Sequence, residues 1–108
     1  MEKVYIIEGR TTTYDDVYGG VVAVNATEEG ARKRMYKEID SRCESVKELL
    51  EDNFNDEDYA EDFEGYETFD EYWDDWVSEN FVTKNFWRYS DETDFTYVVS
   101  IIEKNLED

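Results

Sequence analysis

In TEEGARKRMYKEIDSRCESVKELL (Thr27–Leu50), the apolar residues Ala31, Met35, Ile39, Cys43, Val46 and Leu50 recur at spacings of four and three. That period lays one apolar stripe along a helix. Thr27 stands where a capping hydroxyl belongs, and Glu28 and Glu29 follow in the first turn, against the positive end of the helix dipole. Arg32, Lys33, Arg34, Lys37 and Arg42 are read on the opposite face. The stretch is therefore expected as one long amphipathic helix whose stripe packs on a sheet.

The sheet is expected from both flanks. Lys3–Glu8 (KVYIIE) and Gly20–Asn25 (GVVAVN) are short runs rich in Val, Ile and Tyr, separated by a polar loop. Phe81–Tyr89 and Phe95–Glu103 flank the polar cluster Ser90–Asp94, which reads as a turn. The order ββ-ααα-ββ gives an α+β fold: an antiparallel sheet from two β-hairpins with helices packed on one face. At 108 residues, the chain 1–108 is expected as a single acidic α+β domain.

Between the long helix and the second hairpin the charge concentrates. Residues 48–79 hold 15 Asp or Glu and no Lys or Arg, while the chain as a whole carries a formal charge of −19. The stretch is not a disordered tail, because aromatics make up 17% of the chain and many fall within it. Asn55 is read as the cap of a short helical turn with Tyr59 and Phe63 four apart, and Gly65 as its end. Thr68-Phe69-Asp70-Glu71 fits a capping box, after which Phe69, Tyr72, Trp73, Trp76 and Val77 form an inward stripe. Carboxylates are left outside. The candidate partner-binding residues are Asp56, Glu57, Asp58, Glu61, Asp62, Glu64, Glu67, Asp70, Glu71, Asp74, Asp75 and Glu79.

Composition also excludes. Without any His, the chain lacks the usual general base and the commonest transition-metal ligand. Cys43 lies on the apolar stripe with nothing to activate it, and one cysteine forms no internal disulfide, which suits a reducing cytoplasm. The nearest calcium-loop register starts at Asn53 and fails, because Asp58 occupies the turn position that needs Gly. No glycine-rich phosphate loop or nucleophile elbow appears, and MEKVYIIEGR resembles neither a signal peptide nor a membrane span. The expectation is a non-enzymatic cytoplasmic protein with no cofactor, no metal, no membrane contact and no direct nucleic-acid contact, since its field has the sign of phosphate. The basic side chains of the long helix are expected to form salt links with nearby acids, including part of the acidic stretch.

Helical neighbours three and four apart lie roughly 5–6 Å from each other. Phosphates repeat at about 3.4 Å of rise along one DNA strand. An ordered acidic helix face thus approaches the charge density of a nucleic-acid backbone. In size, charge and the aromatic-acidic run EDFEGYETFDEYWDDW (Glu61–Trp76), the chain resembles the small acidic anti-defence proteins of phages and mobile elements, the nucleic-acid-mimic anti-CRISPR and anti-restriction inhibitors. VYIIEGR, and ATEEGARK after VVAV, are also similar to small phage-type proteins. The resemblance implies an inhibitor that binds the basic nucleic-acid surface of a host defence nuclease, with a CRISPR effector such as Cas9 first and a restriction enzyme next. The rival expectation is a phage-type structural or accessory domain that binds a protein partner through its sheet, its acidity serving only solubility.

Overall fold

Strand-forming residues at the two ends of the sequence pair with each other, and the helices between them pack on one side of the resulting sheet. The computed structural model describes residues 2–90 and 95–106. Strand β1 (Lys3–Thr12) pairs with β2 (Val17–Asn25), and β1 also pairs with β5 (Thr96–Asn105). Next come β4 (Phe86–Ser90) and β3 (Phe81–Thr83), giving the order β2-β1-β5-β4-β3, antiparallel throughout.

The first hairpin is longer than its apolar runs. Pairing continues through Thr11–Tyr18 and Thr12–Val17, so the expected polar loop shrinks to a tight turn. Thr13 N donates to Asp16 O at 2.8 Å, and the Asp16 carboxylate accepts from Val17 N at 2.9 Å. Threonine fits a pleated surface well enough to carry the ladder past the last Ile and Val. The second hairpin differs as well. The expected strand Phe81–Tyr89 is two strands, β3 and β4, turning at Lys84-Asn85, where Asn85 N donates to Thr83 Oγ1 at 3.3 Å. The helical middle is thus followed by three strands, not two. Within the turn read at Ser90–Asp94, residues 91–94 lie outside those described.

The long helix is bent into α1 (Glu28–Arg42) and α2 (Glu44–Phe54). Cys43 sits at φ −98°, ψ 20°, off helical values, yet the hydrogen bonds run on: Cys43 N to Ile39 O at 3.0 Å and Lys47 N to Cys43 O at 2.8 Å. The bend keeps Val46, Leu50 and Phe54 packed at the core's edge. Thr27 caps α1 as expected, its hydroxyl accepting from Gly30 N at 3.0 Å.

Ala31, Met35, Ile39 and Cys43 are buried with Ile7, Trp87, Val99 and Ile101 in one core. Trp87 is completely enclosed, and its indole N–H donates to Val77 O at 2.8 Å, satisfying a carbonyl at the end of the last helix. Arg42 departs from its expected outward position. It lies over Gly9, where an added Cβ would come within 2.3 Å of its Nε. Arg42 Nη1 donates to Thr11 Oγ1 at 2.8 Å, and Nε lies 3.2 Å from Glu38 Oε1. Glu38 is itself buried and also pairs with Arg34 at 3.5 Å.

Candidate partner-binding surface

Three pieces of backbone carry the acidic stretch. The second half of α2 supplies Glu48, Glu51 and Asp52. A 3₁₀ segment, Glu57–Phe63, follows, and then α3 (Phe69–Glu79). The middle piece was read as a short α-helical turn capped by Asn55. It is instead a 3₁₀ segment capped by Asp56, whose carboxylate accepts from Asp58 N at 3.0 Å. Its seven residues make it long for a 3₁₀ run, which usually spans about three or four. Gly65 then reverses the chain at φ 94°, a left-handed conformation that glycine adopts freely. Thr68 caps α3, accepting from Glu71 N at 3.3 Å. The returning half of the capping box is displaced: Glu71 Oε2 accepts from Glu67 N at 3.3 Å, one residue before the cap.

An aromatic relay holds these pieces together. Phe54 meets Phe63 at 5.3 Å and Phe69 at 5.9 Å between ring centroids, and Phe63 meets Tyr72 at 4.7 Å. Trp73 stacks on Trp76 at 4.7 Å, and Trp76 meets Tyr89 of the sheet at 4.7 Å. Such pairs contribute about 0.5–1.5 kcal/mol each beyond the area they bury. Of the two aromatics read on the first acidic turn, Phe63 is buried and Tyr59 is exposed.

The relay turns its rings inward and leaves carboxylates outside. All twelve candidate residues are exposed, along the backbone from the cap of the 3₁₀ segment to the end of α3. Asp56, Glu71 and Asp75 also do local structural work, Asp75 accepting from Tyr66 Oη at 2.8 Å. The carboxylates of the other nine make no hydrogen bond or ion pair among the described residues. The expected salt links from the basic face of α1 do not reach this layer. Arg32 pairs with Glu28, Lys33 with Glu29, and Arg34 and Arg42 with Glu38, all one turn apart on α1 itself. From α2, the Lys47 Nζ lies 5.3 Å from the Trp73 ring centroid.

The field of the layer registers on its tyrosines. The hydrogen bond to Asp75 holds the Tyr66 hydroxyl above its ordinary pKa, with nearby Asp75 and Glu79 adding to the rise. Burial raises Tyr72, and Glu79 and Asp62 raise it further. Both phenols stay protonated, so they donate hydrogen bonds at neutral pH.

Two residues outside the acidic stretch join it. A groove of about 440 Å³ between α1 and α3 is lined by Tyr36, Asp40, Trp73, Asp74, Val77 and Ser78. Asp40 is fixed there by the Trp73 indole N–H, which donates to its Oδ1 at 2.7 Å. The sequence signal for Asp40 was faint, one of four acids among five bases on α1, beside the Ile39 stripe position. Carboxylates on this layer stand apart instead of converging: among the described residues, no three Cys, Asp or Glu side chains are grouped to hold a metal ion. Nor, among those residues, is any helix long and apolar enough to cross a membrane. What the arrangement can do chemically is attract and seat cationic groups over a broad area. Compared with family models, curated proteins and solved structures, the chain matches none of them.

Proposed function

We propose that the α2–α3 acidic layer occupies the basic nucleic-acid-binding surface of a host defence nuclease, in the cytoplasm and without catalysis. A CRISPR effector such as Cas9 is the first target, because its heteroduplex lies in a positively charged channel; a restriction enzyme is the second. The observation that carries this reading is an ordered set of exposed carboxylates that, among the described residues, no Lys or Arg neutralises by an ion pair. Like charges crowded in this way destabilise the free protein. A cationic partner relieves that repulsion on binding. Exposed Tyr36 and Tyr59 beside the layer supply apolar contact, which charge alone does not provide. Inhibition would be competitive with DNA and steeply weakened by salt.

Charge removal tests it at positions that leave local structure intact. Glu61→Gln, Asp62→Asn, Asp70→Asn and Asp74→Asn spare Asp56, Glu71 and Asp75, the three acids that bond within the layer. With circular dichroism unchanged, the combined variant should bind Cas9 or a restriction enzyme at least about 100-fold more weakly, a loss of about 2.7 kcal/mol. Unchanged binding by the folded variant would overturn the proposal and favour the reading in which acid serves solubility and the sheet binds the partner.

A further inference from the structure

Alternation along each strand gives the sheet two faces, and the helices cover one. On β1, Tyr5 and Ile7 turn toward the core, while Ile6, Glu8 and Arg10 turn away. The register carries that outer face across the sheet. Ile6 stands opposite Val24 and Ile102, Glu8 opposite Val21 and Ser100, and Arg10 opposite Val98, which faces Arg88 in turn. This face is apolar and open: Val21 is 60% exposed, Val24 58%, Ile102 44% and Phe86 36%. Its centre is a shallow depression of about 180 Å³ bordered by Glu8, Arg10, Phe86, Val98 and Ser100.

Size and shape show how much of it is uncovered. The chain exposes 7467 Å², whereas a compact monomer of 12.9 kDa exposes roughly 6,300 Å². Its radius of gyration is 16.0 Å, against about 13 Å for a compact domain of this length. The molecule is a slab, 57 × 35 × 18 Å. With strands of 10, 9, 3, 5 and 10 residues, at about 3.3 Å per residue and about 4.8 Å between strands, the face measures roughly 590 Å² before side-chain relief is counted. A stable complex buries about 800 Å² per partner.

Charge selects the occupant. The open face carries Arg10, Arg88 and Lys104 against Glu8, so it is the side without an excess of acid on a chain of charge −19. Two such chains repel in any arrangement that brings their helical layers together. Stacked sheet on sheet, they keep those layers on opposite outsides. A two-fold axis then presents the same apolar patch on both copies, as an isologous interface requires. We propose that the open sheet face is a self-association surface on which two copies stack as a sandwich, displaying an acidic layer on each side.

Sedimentation equilibrium of the full chain tests this. At about 100 μM the mass should be twice 12.9 kDa. Association should tighten as salt is raised, because screening reduces repulsion between like-charged chains. That is opposite to the salt response of a partner held by the acidic layer, so the two proposals fail separately. Val24→Lys with Ile102→Lys, both on exposed positions, should weaken the dimer at least about 100-fold with thermal stability retained. If that pair lowers the melting temperature, Arg10→Glu with Arg88→Glu serves in its place and should weaken the dimer as strongly. A monomer at about 200 μM in both low and high salt would overturn the proposal, whatever other partner later proved to take the face. So would a folded variant that dimerises as tightly as the wild type.

Discussion

Arg42 shows how a single side chain can be placed correctly by spacing and wrongly by type. It lies three residues after Ile39 and four before Val46, on the stripe, yet its charge argued for solvent. The structure keeps the spacing and accommodates the charge with Glu38, Thr11 and the bare backbone of Gly9. Glu38, three after Met35, was legible in the same way. Breaking a buried pair strands a charge, so Arg42→Leu should destabilise by about 3 kcal/mol, whereas Glu38→Leu with Arg42→Leu should cost clearly less. Chemical denaturation of the two variants checks this. Cys43 offers a second measurement at this scale. Burial, with Asp40 nearby, pushes its thiol from 9.0 up to about 12. The raised value means the folded state favours the neutral thiol. That stabilisation is complete below pH 9 and is lost as pH rises toward 12. Stability measured from pH 8.5 upward should therefore fall, and fall less steeply in Cys43→Ala. The native thiol should also resist alkylation at pH 8.

At the scale of elements, the α1 and α3 caps and the α-helical periods were readable, while bends and the cap of the 3₁₀ segment were not. Thr27 and Thr68 both cap the helices they were expected to start, because a hydroxyl before a helical period leaves the backbone few alternatives. The bend at Cys43 left no trace, since the apolar spacing of four and three continues across it. The β3–β4 turn was hidden for a related reason: Lys84-Asn85 lacks the Gly or Pro that usually marks one. Within the acidic layer, the inward stripe of α3 was legible while the 3₁₀ character of Glu57–Phe63 was not, because a seven-residue segment, about two turns, is too short to separate the two periods. Asp40 was missed because it reaches the layer from another element. The joint at Gly65 can be tested directly. Gly65→Ala forces a Cβ into the left-handed region and should cost about 1–2 kcal/mol, and Thr68→Ala about 1 kcal/mol. Both should show as lower denaturant midpoints with unchanged slopes.

For the whole molecule, charge acts as a load that salt lightens. Raising sodium chloride from low to about physiological ionic strength should raise the melting temperature by several degrees, since the repelling carboxylates are exposed and therefore screened. The four-site neutral variant should be more stable than wild type at low salt and respond less to added salt; calorimetry reads both. The pairing of β1 with β5 has a consequence of another kind. Lys3 stands opposite Asn105, so the centre of the sheet closes a loop that spans nearly all the described chain. Such a high contact order predicts slow folding, on the millisecond to second scale, with few native contacts available beforehand. On the ribosome, β1 would have only β2 beside it until β5 has emerged, and the carboxylate-rich middle would leave the exit tunnel while its covering sheet was still incomplete. Self-repulsion in that segment keeps the waiting chain apart from its neighbours, so the charge that strains the finished fold protects the unfinished one.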